Sequence, residues 1–470
     1  MARVILTSAS YSSRSLIASA QRCVNLYPEM NPADAAAPVT FYGTPGRKLW
    51  STLPTYPVRA VYKASSGDLF AVGGSRLYRY SAGAWVDLAG LATYDGPVYA
   101  ADNGISIVFT DGTTTAPTVS LTSFATGVMG GEGWQGADFV VFVAGFFIFN
   151  KPNSQQFYTT GAYDLTVDAL DFASAEAVPD KLVRIIRDHN EVWMLGARST
   201  EVFGVSGESF PFAAIGGATQ ETGCAAPGSA CRMDNSLIWL GADERGDAMV
   251  WRAQGYTPVR ISTHALEEEM RTYPRIDDAS AFSYQQGGHS FYQITFPRAG
   301  KTWCYDAATQ QWHERAYRNQ ANQLERVRDN CHVFYERKHL VGDYETGAIY
   351  ELDLDTYTDA GAEIVRIKSF QHMTADNARQ FFKHLTLDMQ AGVCNGAEQD
   401  PQVSLRWSDD GGRTWSSMLT TSLGKTGQFR NKPCFNRLGM GRDRVFEVST
   451  SANAKIALQG AFLEAQVGTS

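Results

Sequence analysis

Between Val403 and Trp407 apolar and polar side chains alternate, Val403-Ser404-Leu405-Arg406-Trp407, which is the period-two pattern of a strand with one buried face. Asp409 to Gly412 then supply turn residues, and Thr414-Trp415 is expected to open the returning strand of a β-hairpin. Lys383-His384-Leu385-Thr386-Leu387-Asp388-Met389 alternates in the same way upstream. These strands predict a C-terminal β-sandwich over residues 370–470.

From Val58 to about Ser369 the pattern becomes a loose repeat. Strand-rich segments begin near Val58, Pro97, Asp138, Leu182, Ala230, Ala281 and His332. Their spacing is roughly 40–50 residues, the interval of propeller blades. Four of them hold an apolar run closed by glycine, at 69–73, 142–145, 192–196 and 237–241. A more amphipathic run follows in several, such as Leu77-Tyr78-Arg79-Tyr80. An inner apolar strand, an outer amphipathic strand and a return are what a blade needs. The expected fold is therefore all-β: a β-propeller of about seven blades at 51–369, then the sandwich. Residues 1–50 read as an extended N-terminal arm packing on the C-terminal domain.

One segment breaks the strand period. Thr263 is a helix N-cap residue, and Leu266, Met270 and Tyr273 recur at i, i+4 and i+7, predicting a short surface helix. Its acidic run, Glu267 to Glu269, is expected to be mostly solvated. The most apolar stretch, 139–149, is too short to cross a bilayer as a helix and reads as two buried strands meeting at Ala144-Gly145.

A chain of 470 residues exceeds one ordinary core. Its 44% apolar and 12% aromatic content excludes general disorder. The net charge of −8 argues against a protein that grips nucleic-acid phosphates, which takes a basic surface. The seven cysteines (Cys23, Cys224, Cys231, Cys304, Cys331, Cys394 and Cys434) show no CxxC or CxH spacing, so reduced thiols are expected rather than zinc ligands. Met1-Ala2-Arg3-Val4 lacks the apolar core of a signal peptide, and no run of about 18 apolar residues predicts a spanning helix.

Candidate chemistry is sparse. Ser408, Asp410, Gly412, Thr414 and Trp415 fit S-x-D-x-G-x-T-W, the Asp-box, a turn in which the carboxylate accepts backbone N–H groups and the tryptophan packs beneath the hairpin. Sialidases carry the box away from their chemistry, so it is read here as structural. Gly131-Glu132-Gly133-Trp134-Gln135-Gly136 satisfies G-x-G-x-x-G, but a strand follows where a dinucleotide loop needs a helix. Asp353, Asp355 and Asp359 suggest a calcium loop, yet Thr358 stands where the EF-type loop needs glycine; a strand edge with exposed aspartates reads better. The eight histidines show no metal spacing, and no G-x-S-x-G elbow is present. No catalytic residue, metal or cofactor is expected.

The blocks "LRWSDDGGRTWS", "GKTGQF", "NRLGMGRDRVFEVSTS" and "ALQGAFLEA" at the C-terminal end resemble the packaged-DNA stabilisation proteins of short-tailed bacteriophages, the tail hub or nozzle beneath the portal. Shorter blocks, "RCVNLYPE", "TPG", "TQETGCAAP", "GHSFY" and "DNAR", extend the resemblance over nearly the whole chain. The resemblance implies a structural virion protein of the tail, assembled in the bacterial cytoplasm. Such a protein closes the portal channel, stabilises packaged DNA and forms the conduit for its ejection. The implied partners are copies of itself in a hexameric ring, portal-adaptor proteins, and tail fibre, tailspike or needle. Duplex DNA would pass through the lumen without specific binding, since an acidic channel repels phosphates. The alternatives are a sialidase-like glycosidase, against which stand a single Asp-box and a missing Arg-Ile-Pro motif, or a glycan-binding propeller.

Overall fold

The computed structural model describes residues 2–6, 20–176, 178–242, 245–376, 378–393 and 400–468. Residues 7–19 of the expected arm, Asn377 and Cys394 lie outside that set. Apart from the helix His264–Arg271, every described element is a β-strand.

Apolar runs joined by tight turns fold into four-stranded antiparallel meanders. Five are separate sheets, with inner strands Val58–Lys63, Tyr99–Asp102, Val140–Val143, Leu182–Asp188 and Cys231–Met233. In a sixth sheet, Asp329–Tyr335, Lys338–Asp343 and Ala348–Asp353 take their outer strand from near the start of the chain. That strand, Gly46–Thr52, runs antiparallel to Ala348–Asp353 with Arg47 opposite Leu352. Asp329–Tyr335 also lies against Val58–Lys63, which closes the ring.

A further meander, Ser280–Gln286 to Gln311–Arg315, does not stand alone. Cys23–Val24 lies beside Gln311–Arg315 and then beside Arg366–Ser369, making one ten-stranded sheet that runs on into the sandwich. The expectation of about seven like blades is corrected to that extent: among the described residues six sheets belong to the propeller alone, and this meander is shared. Asn25 stands at the junction. Its side-chain amide donates to Ala316 O (2.8 Å) and Val365 O (2.9 Å) and accepts the Ala316 N–H (2.9 Å), tying the two folds together where a blade would otherwise end.

The sandwich packs two sheets face to face. One holds Leu26–Met30, Val39–Gly43, Ala457–Val467, Gln380–Met389 and Cys434–Asn436, with Ala2–Ile5 also on Ala457–Val467. The other holds Arg366–Ser369, Asp443–Thr450, Gln402–Ser408 and Leu419–Ser422. Period-two alternation, with a register shift between Phe382 and His384, sends Phe382, Leu385, Leu387, Val403, Leu405 and Phe446 into the space between. Phe41 and Leu26 from the start of the chain share that core. Burying each such side chain contributes about 1.5–3 kcal/mol.

The helix forms as its pattern requires. Thr263 caps it by accepting the Leu266 N–H, and Leu266 and Met270 are buried. Glu267 departs from the solvated reading. It is buried because Ser262 donates to it at 2.6 Å and the Arg260 guanidinium pairs with it. The apolar stretch 139–149 forms Val140–Val143 and Phe146–Asn150, paired antiparallel across a turn with positive φ at Ala144 and Gly145.

Candidate functional site

The turn at 408–415 begins where Ser408 ends its strand. The Ser408 hydroxyl donates to Asp410 Oδ1 at 2.6 Å and accepts the Gly412 N–H at 2.8 Å. Asp410 Oδ1 accepts the N–H groups of Arg413 (2.9 Å) and Thr414 (2.8 Å), and Oδ2 accepts the Thr414 hydroxyl (2.6 Å). The Ser408 and Thr414 hydroxyls, with those N–H groups, hold the Asp410 carboxyl well below the usual carboxylate range. Gly411 and Gly412 sit at φ +75° and +93°, where a side chain is strained.

Two expectations about this hairpin are corrected. The returning strand is Leu419–Ser422 rather than Thr414-Trp415, because the turn's hydrogen bonds hold 409–415 out of the ladder. Trp415 is half-buried, with the Arg406 guanidinium 4.5 Å over its ring and Glu447 holding Arg406 Nε at 2.7 Å. The carboxylate oxygens therefore face their own turn, and the arrangement braces a loop.

The other motifs are structural as well. Gly131 and Gly133 approach the backbone so closely that a Cβ would meet Val167 O at 2.4 Å and Asp168 O at 2.3 Å, and the strand Val140–Val143 comes next. Asp353 accepts the Asp355 N–H and the Thr356 hydroxyl. Asp359 is buried against Arg47, so the reading of exposed aspartates fails there. Among the described residues no group of three or more His, Cys, Asp or Glu is placed to hold a metal ion. The six described cysteines are free thiols.

Sequence reasoning missed the densest cluster, which lies where the first strands, the shared meander and the last propeller sheet meet. Arg47 grips Asp329 through Nε (2.6 Å) and Nη2 (2.7 Å) and Asp359 through Nη1 (2.8 Å). Gln293 donates to Asp329 at 3.1 Å and accepts from Arg315 at 3.0 Å, and Arg315 Nε donates to His313 at 3.2 Å. Burial alone would raise Asp329, but Arg47 on both oxygens brings it below its ordinary value. Asp359 has one oxygen on Arg47, and there burial wins and the pKa rises. Burial also drives His313 neutral. Nearby, Lys368 lies 4.6 Å over the Phe41 ring and burial lowers it to about 8. The signal in the sequence was the block Arg22 to Glu29, whose Asn25 ties the propeller to the sandwich.

A cavity of about 600 Å³ is lined among others by Arg59, Tyr99, Phe282, Arg326, His332 and Tyr344, from several of the propeller sheets. Arg59 donates to the carbonyls of Gly74, Thr93, Asp95 and Gly96 and so fastens the loop 93–96. His332 is pushed down to about 3 by burial and by His339, whose ring nitrogen is 3.1 Å away.

The fold and these sites define a propeller–sandwich protein whose polar clusters brace strands and loops. Residues 7–357 match the family described as Bacteriophage P22 Gp10, beta-propeller, and residues 367–466 match Bacteriophage P22 Gp10, beta-sandwich. The chain belongs to this family, the packaged-DNA stabilisation and tail-hub proteins of short-tailed phages. No curated protein matches it. Among solved structures it is similar to the extracellular domain of a B. thetaiotaomicron protein described as a one-component system, BT4673, at 10% identity and TM-score 0.42. The match covers 88% of this chain and 59% of that one, a likeness too loose to define the fold.

Proposed function

We propose that this protein is a tail hub or nozzle subunit that assembles under the portal, closes its channel after packaging and later forms the conduit for ejection. The observation that carries the reading is that both parts of the chain match the two parts of one phage family. The turn Ser408, Asp410, Gly412, Thr414 and Trp415 serves as a brace, since its carboxylate is enclosed by its own N–H and hydroxyl donors. The partners are further copies in a hexameric ring, portal-adaptor proteins, and tail fibre or needle. The net charge of −8 per copy supports passage of duplex DNA without adhesion and keeps free subunits apart. It acts in the virion, without catalysis. Negative-stain imaging tests this: rings are expected on a portal–adaptor complex mixed with the protein. A protein that leaves those complexes bare contradicts the reading.

A further inference from the structure

Arg326 stands in the segment that leads into the last propeller sheet, between Leu324–Glu325 and Asp329–Tyr335. Its neighbours fix the backbone there. The buried Val327 donates its N–H to the Thr302 hydroxyl at 3.3 Å, and Arg328 grips Asp343 through Nε at 2.7 Å. Arg326 itself is 8% exposed and lines the cavity of about 600 Å³. Its guanidinium lies 3.7 Å over the Tyr344 ring. Among the described residues no acceptor reaches its buried Nε and Nη2, and no carboxylate is paired with it. A buried guanidinium without acceptors is costly, and buried polar groups of folded proteins almost always have partners.

The identity of the two bare atoms matters. Nε and Nη2 share one edge of the planar guanidinium, the edge that takes two oxygens of one carboxylate or phosphate together. Arg47 uses that edge on Asp329, at 2.6 and 2.7 Å, and Arg444 uses it on Asp409, also at 2.6 and 2.7 Å. In Arg326 the same edge is buried with no protein oxygen on it. The surrounding charge favours an anion as well. Arg59, on the cavity wall, is engaged by carbonyl oxygens and the Thr93 hydroxyl rather than by a carboxylate. Arg184 lies 3.9 Å over the ring of Tyr99, another wall residue. Of the acids on the wall, Asp277 is held by Arg275 at 2.7 Å. Asp278 is different. Its Oδ2 accepts the Arg298 N–H at 3.0 Å, but its Oδ1 is buried with no donor among the described residues. One cavity thus holds an arginine edge in need of acceptors and a carboxylate oxygen in need of a donor.

We propose that this cavity binds hydrogen phosphate, whose oxygens take the Nε–Nη2 edge of Arg326 while its P–OH donates to Asp278 Oδ1. The volume is that of a small-ligand pocket. The proton on the ligand sets the specificity. Sulfate at neutral pH and the phosphodiesters of DNA carry no such proton, so each would place a bare oxygen against the Asp278 carboxylate, and like charges repel. The site is separate from the hub reading, which stands or falls without it.

The test is equilibrium dialysis of the full-length protein against labelled phosphate or labelled sulfate, at neutral pH and matched ionic strength. Phosphate is expected to bind at one site per chain, more tightly than sulfate by about tenfold or more, the value of one charge-assisted hydrogen bond. Arg326→Met, which keeps an apolar stem on Tyr344, should abolish binding with an unchanged circular dichroism spectrum. Arg326→Lys keeps the charge but loses the planar edge, and should weaken binding by about tenfold or more. Asp278→Asn should bring the two anions to similar affinity, because an amide can donate to sulfate. No phosphate bound by wild type, sulfate bound as tightly as phosphate, or phosphate retained by a folded Arg326→Met overturns the proposal. If Arg326→Met does not fold, Asp278→Asn decides: an unchanged preference for phosphate over sulfate in that variant overturns it too.

Discussion

Asp410 shows how a residue legible in a motif acts by local geometry. Its folded pKa is depressed, so its contribution to the turn is complete above the unfolded value, about 3.9, and is lost as pH falls through the folded pKa. Hydrogen exchange should therefore show the Arg413 and Thr414 amides protected at pH 7 and still protected near pH 4, opening only well below it as Asp410 takes up its proton. Asp410→Asn should leave them open at both, and equal protection in the variant would contradict the geometry. Arg47 is the opposite case, invisible in sequence because Asp329 and Asp359 are 282 and 312 residues away. Arg47→Met would leave two buried carboxylates without their cation, at a cost of about 3–5 kcal/mol. A urea midpoint unchanged in that variant would show the cluster to be dispensable. Trp415 was misjudged for a related reason: the sequence motif names the aromatic ring, but Arg406 over its face is placed by another strand.

At the scale of elements, hydrophobic period carried most of the information. The first strands of the six propeller sheets begin at Val58, Tyr99, Val140, Leu182, Cys231 and Asp329, and that of the shared meander at Ser280, each within three residues of the positions read from the pattern. The helix at His264–Arg271 was legible from its cap and spacing, but the burial of Glu267 depended on Arg260 and Ser262 in the preceding turn. Strand pairing was not legible, since nothing local tells Gly46–Thr52 to close the sheet of Ala348–Asp353. That closure fixes a prediction at Gly46. A Cβ there would meet Thr356 O at 2.2 Å and Thr358 O at 2.6 Å. Gly46→Ala should thus cost about 1–3 kcal/mol by overpacking. Limited proteolysis should find faster cleavage near 353–359; an unaltered pattern would show that the strand tolerates the crowding.

For the whole molecule, the chain starts in the sandwich, makes the propeller and returns, so its first and last strands pair in one sheet. Composition could not show this; it required a match between distant ends. Resemblance in short blocks supplied the family, and residue chemistry by itself stopped at an all-β protein. We propose that the subunit seals a filled head. A seal is needed after packaging and not during it, so particles assembled without the protein should fill with DNA and then lose it. Nuclease protection of such particles is the most direct measurement. The account predicts filled heads whose genomes become nuclease-sensitive, with protection restored when the protein is added back. Fully protected, infectious genomes in particles lacking it would contradict the account.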